Sequence, residues 1–239
     1  MPRVTVVPVS VSVAIACVLS AVSSAAPWTD TPVARLEALA LIESLNAEIL
    51  SSSSATLTLE RWCRDHALAD PPQILAHRVD VSAAPPSAEV RSDLQLSSAD
   101  PVRYRRVELT CGAHVLSVAE NWYVPSRLTP DMNRLLDETQ TPFGKAVLQL
   151  KPHRETRAVQ HLWSPLPEGW ERLRNASSPG TPDAAGTAAP LNIPPALFEH
   201  RAVLYTETHV AIAEVREVYQ RDLLDFPEPR IAGATRADP

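Results

Sequence analysis

The segment Arg201–Arg221, RAVLYTETHVAIAEVREVYQR, constrains the fold more than any other stretch. It reads as a β-hairpin near the C-terminal end. Side chains alternate along a strand, so Val210, Ile212, Glu214, Arg216 and Val218 are expected on one face. Glu214 then lies in line with Val210 and Ile212, where a carboxylate needs a partner or a chemical task. The pattern equally fits a strand register one face off, or a Glu214 at a wet sheet edge. Periodicity alone leaves these readings open.

The 239 residues allow one large domain or two small ones. An apolar content of 45% supports a true core. A net charge of −6, with no block of like charge, argues against a nucleic-acid partner, which would need a basic patch to meet phosphates.

Met1–Ala25 opens with one basic residue, Arg3. It continues through the apolar run VTVVPVSVSVAIACVLSAV to the small residues Ser23, Ser24 and Ala25. This is the pattern of a secretory signal peptide cleaved after Ala25, so the chain is expected to be secreted or periplasmic. A membrane contact is expected only if the leader stays attached; Pro8 and the serines weaken the run as a span. Cys63 and Cys111 remain after cleavage. They can pair in an oxidising compartment, or serve as small buried hydrophobes.

Along the mature chain, Val33–Leu50 reads as a helix with Leu36, Leu39, Ile42, Leu45 and Ile49 as its apolar stripe. A second helix spans about Thr56–Ala67, capped by Ser54 or Thr56 and stopped by Pro71-Pro72. Ile74–Val81 reads as a strand and Ser82–Asp100 as a loop. Arg103–Cys111 and His114–Val124 form two strands about a tight turn at Gly112-Ala113. In the first, Val107, Leu109 and Cys111 alternate against Tyr104, Arg106, Glu108 and Thr110. Leu128–Thr139 is a helix with Met132, Leu135 and Leu136 inward. Thr141-Pro142 opens a short one continuing through Phe143–Gln149. Leu150–Trp163 reads as a strand. The stretch 165–195 is a Pro- and Ala-rich insertion expected to be disordered, with a sequon at Asn175, and 227–239 a loose tail. Helices precede strands joined in sequence by tight turns. The expected class is therefore α+β with an antiparallel sheet, in one domain spanning 26–226.

No GxGxxG, P-loop, HExxH, CxxC or GxSxG occurs. The seven histidines show no ligand spacing, so no metal and no cofactor are expected. The residues that stand out are Arg106, Glu214 and the TPFG turn.

Four segments, RRVELTCG, AENWYVP, TQTPFGKAV and RAVLYTETHVAIAEVREVY, fall in an order and spacing that resembles the chorismate lyase family. The likeness spans roughly Ser54–Leu224. It implies an antiparallel sheet with helical flaps over a buried pocket, and removal of pyruvate from chorismate to give 4-hydroxybenzoate without a cofactor. By the same resemblance Arg106 takes the position of the arginine that grips the substrate carboxylate. Glu214 takes that of the pocket carboxylate. Phe143 and Ala55 take positions that line the ligand. Asn121 stands where some members carry a second basic residue, and the leader is unusual because chorismate is made in the cytoplasm. Two functions are therefore expected to compete. One is an exported chorismate-lyase-like enzyme acting through Arg106 and Glu214. The other is a non-catalytic module of the same fold for a small aromatic or carboxylate ligand. In both, the partner is a small molecule.

Overall fold

The computed structural model describes residues 28–97, 100–172 and 189–228. The leader, the middle of the 165–195 insertion with its sequon, and the tail beyond Glu228 lie outside the described residues. Helix α1 (Pro32–Ser51) starts at an N-cap Thr31, whose hydroxyl accepts from the Ala34 N–H, with a proline in its first turn. Its buried face is Ala34, Ala38, Ile42, Leu45, Asn46 and Ile49. The stripe is thus rotated from the expected one, and Leu36 is exposed. Helix α2 (Ala55–Asp65) is capped by Ser54, whose hydroxyl accepts from the Leu57 N–H.

Six strands follow: β1 (Ile74–Arg78), β2 (Arg103–Cys111), β3 (His114–Tyr123), β4 (His153–His161), β5 (Ala196–Tyr205) and β6 (Ala211–Gln220). They make one sheet in the order β1-β2-β3-β6-β5-β4, antiparallel throughout. This is the α+β antiparallel architecture expected from the sequence. The β2–β3 turn needs Gly112 at φ +56°, and a Cβ there would lie 2.7 Å from that of Ala69.

Three helices complete the fold: α3 (Ala88–Asp93), α4 (Pro130–Glu138) and α5 (Phe143–Ala146). The segment expected as a loop over 82–100 thus contains α3. Ser87 caps it and Val90 is buried, a single turn and a half too short for periodicity to reveal. In α4, Met132 and Leu136 point inward while Leu135 is exposed, because a helix this short buries one narrow stripe.

The sheet has two unlike faces. On one, α1 and α2 pack over Val107, Leu109, Ala119, Phe198 and Tyr219, and α4 and α5 over Tyr123, Ala202, Leu204, Ala213 and Val215. The other face is charged and mostly wet; only α3 covers it, over Val203, Tyr205 and Ala211. A disulfide joins Cys63 of α2 to Cys111 of β2 across 48 residues, with Cα atoms 6.3 Å apart.

Candidate functional site

Between the helix-covered face and the tips of α2 and α5 lies a small cavity. Its walls include Ser54, Ala55, Thr56, Asn121, Phe143 and Gly144, with Arg154 and Glu217 at one side. Water-sized spheres can be centred over ≈ 30 Å³ of it, room for about two waters. The TPFG turn explains why the cavity closes. A Cβ on Gly144 would sit 3.0 Å from the Thr56 hydroxyl and 3.1 Å from that of Ser54. Glycine therefore lets this turn meet the N-terminus of α2, where backbone N–H groups carry the positive end of the helix dipole.

Strand β2 delivers the site's cation. Arg105 is in phase with Val107 and Leu109 and stands directly across from Asn121 of β3. It is only 3% exposed. One of its nitrogens donates to the Thr141 carbonyl at 3.2 Å, while Nε and the other terminal nitrogen have no partner among the described residues. Burial, and secondarily the charge of Arg78, lowers its pKa to about 10, which still leaves it charged at neutral pH. The Asn121 amide nitrogen, also buried, has no acceptor either. Arg105 itself borders a second space, an open cleft of ≈ 500 Å³, together with the cations Arg78, Arg103 and Arg106 and the acids Asp80 and Asp137. Arg105 thus lines the open cleft, while its cross-strand neighbour Asn121 lines the small cavity.

The second buried cation is already matched. Arg154 of β4 donates to Glu217 at 3.0 Å and to the Thr156 hydroxyl at 2.8 Å, and the Tyr219 hydroxyl donates to Glu217 at 3.2 Å. His200, fully buried beside this pair, holds its Nε2 2.7 Å from the Asn46 side-chain oxygen. Burial, then the Arg154 charge, pushes its pKa down to about 4, so the ring is neutral.

The four residues singled out in the sequence divide between the two faces. Phe143 and Ala55 line the cavity. Arg106 and Glu214 do not, and this corrects the expected site. Arg106 follows Arg105 and therefore points to the other face, where it lies half in solvent 3.8 Å from Glu120, at the rim of the open cleft. Glu214 is buried on that same face under α3, not in the cavity. Arg201 is 3.8 Å away but engaged with Glu89. Neither carboxylate oxygen of Glu214 has a hydrogen-bond partner among the described residues. Burial, then the nearby Asp93 charge, raises its pKa to about 7.

The cause of the misreading is a β-bulge. Leu204 pairs with Ala213 but Tyr205 pairs with Ala211, which leaves Ile212 as an extra residue. Ile212 packs with Ala213 and Val215 on the helix-covered side, so it no longer shares a face with Glu214. Val210, before the strand, is exposed. The same bulge hides Glu217; Arg105 on β2 is untouched by it and is in phase with Val107 and Leu109, but the family resemblance points to its neighbour Arg106.

No protein-family model matches the chain. The uncharacterized protein y4mC of Sinorhizobium fredii (strain NBRC 101917 / NGR234) is 44% identical over 208 residues, covering 87% of this chain and 85% of its own. Among solved structures, the ligand-binding domain of a putative GntR-family transcriptional regulator from Bordetella bronchiseptica shares 14% identity at a TM-score of 0.38, over 63% of this chain and 84% of that one. The effector domain of PhnF from Mycobacterium smegmatis shares 14% at 0.42, over 71% and 90%. At such scores the likeness says nothing about ligands. The resemblance to the chorismate lyase family is corrected by these findings. No family model matches, and the assigned Arg106–Glu214 pair lies outside the cavity.

Proposed function

The chain belongs to the family of the uncharacterized protein y4mC of Sinorhizobium fredii, and from that footing we propose that it is a binding module for a small organic anion, held by a carboxylate-like head. The observation that carries this reading is Arg105, a buried guanidinium with no acidic partner among the described residues. An uncompensated buried charge destabilises a fold by several kcal/mol, on the order of 3. Its retention is explained if an anion completes the site. An arginine fork meets a carboxylate with two parallel hydrogen bonds. Asn121 adds an amide donor and the first turn of α2 adds a favourable dipole. The ligand's head meets Arg105 in the open cleft, which Arg78 and Arg103 also border.

Export from the cytoplasm accompanies this reading. The leader pattern supports it, and so does the Cys63–Cys111 disulfide, since such bonds persist mainly in oxidising compartments.

The test compares Arg105→Met with Arg106→Ala. Thermal shifts would be recorded with acetate, succinate, benzoate and inorganic phosphate. Wild type and Arg106→Ala are expected to be stabilised by at least one of these anions. Arg105→Met is expected to lose the response, while being at least as stable as wild type without ligand, because it removes an unpaired buried charge. A panel that leaves wild type unmoved, or an Arg105→Met variant that responds like wild type, refutes the proposal.

A further inference from the structure

On the opposite face of the sheet from the cavity, at the turn end of the β4–β5–β6 corner, three side chains come together. His153 and Glu155 are two apart on β4 and so share the wet face of the sheet. The His153 Nε2 lies 3.3 Å from the Glu155 Oε1. His209 reaches over from the β5–β6 turn, where it adopts φ +57°, and its ring centroid is 4.8 Å from that of His153. One ligand atom from each of the three residues lies within 4.8 Å of the others.

We propose that His153, Glu155 and His209 form a binding site for a divalent transition-metal ion, with zinc the best fit. Two imidazoles and one carboxylate are a familiar zinc ligand set that leaves further positions open to water. Imidazole nitrogens select zinc, copper or nickel over magnesium and calcium, which prefer all-oxygen shells. Around a tetrahedral ion bonded at about 2.0–2.2 Å, ligand atoms stand roughly 3.3–3.6 Å apart. His153 and Glu155 already have that separation. His209 needs to close by about 1.5 Å at most, and it sits on an exposed turn.

The surroundings orient the ligands. The Tyr205 ring stacks on His153, with centroids 5.2 Å apart and planes 16° from parallel. Arg157 holds the second oxygen of Glu155 at 3.3 Å and donates to the Tyr205 hydroxyl, leaving the Glu155 Oε1 for the ion. The guanidinium's positive charge tempers affinity, so the site binds reversibly. An ion there ties the exposed end of a hairpin to the edge strand β4 and stabilises the native state by mass action.

Untagged, chelator-treated protein would be titrated calorimetrically with zinc chloride, beside His209→Ala, Glu155→Gln and His161→Ala. His161 is the control because it also faces a glutamate, Glu43 at 2.9 Å, but without a third ligand. Wild type and His161→Ala are expected to bind one zinc per chain. His209→Ala and Glu155→Gln are expected to bind at least about tenfold more weakly, since losing even an outer orienting partner costs that much. All four should give the same circular dichroism in chelator. Cobalt(II) should give visible absorption bands in wild type that His209→Ala lacks. Absence of saturable zinc binding by wild type overturns the proposal, as does undiminished binding by both ligand variants.

Discussion

Glu214 shows how one residue's environment sets a measurable property of the whole protein. Its carboxyl is pushed up to about 7, above its ordinary value of 4.5, chiefly by burial. Between those values the native state holds a proton that the unfolded chain releases. The protonated acid's stabilisation is therefore complete below the ordinary value and is lost as pH rises through the raised one, on the order of 3 kcal/mol in all. Glu214→Gln keeps the neutral shape without titrating. Its melting temperature is expected to match wild type near about pH 4 and exceed it by several degrees near about pH 8. A difference that stays constant over that range would show that the carboxyl does not titrate abnormally. Arg105 makes the complementary case. It stays charged while buried, and its missing counter-charge is what the proposed anion supplies.

At the scale of elements, the junction of α2 with the TPFG turn governs the cavity. Ser54 caps α2 and lines the cavity, and Gly144 permits the close approach. Ser54→Ala removes the cap and is expected to cost about 1 kcal/mol in urea unfolding, with weaker anion binding because the first turn of α2 frays. An unchanged unfolding midpoint would mean that packing alone holds this turn. The sequence narrowed this cap to Ser54 or Thr56, because Ser or Thr followed by an amphipathic run is a start signal with a known mechanism, and the structure selects Ser54. The phase of β6 was not. Counting by twos from Val210 places Ile212 and Glu214 together, and only the β-bulge at Ile212 separates them. A bulge leaves no mark in an apolar run until the partner strand's register is known.

For the whole molecule, the Cys63–Cys111 bond ties the helix layer to the sheet beside the cavity. Closing a loop of 48 residues stabilises the native state by about 4 kcal/mol through the entropy of the unfolded chain. The Cys63→Ser variant is expected to unfold at a much lower urea concentration than wild type. Thiol counts under denaturing conditions should find none in protein recovered from an oxidising compartment. Equal urea midpoints for the two proteins would show that the bond constrains little. Among the described residues, no helix is long and apolar enough to cross a membrane.

The sequence by itself determined the strands and the helices other than α3, their antiparallel α+β arrangement, a cap at Ser54 or Thr56 and the importance of the TPFG turn. Each of these rests on local rules, namely alternation, helical spacing, capping and turn chemistry, that act within a few residues. Tertiary structure alone decided that Arg105 is the buried cation and Arg106 the exposed one. It also decided that Glu217 rather than Glu214 borders the cavity, that Cys63 meets Cys111, and that His209 joins His153 and Glu155. Local periodicity defines two sheet faces without saying which one the helices will cover. Contacts between residues distant along the chain exist only once the sheet's register and its bulges have set absolute positions in space.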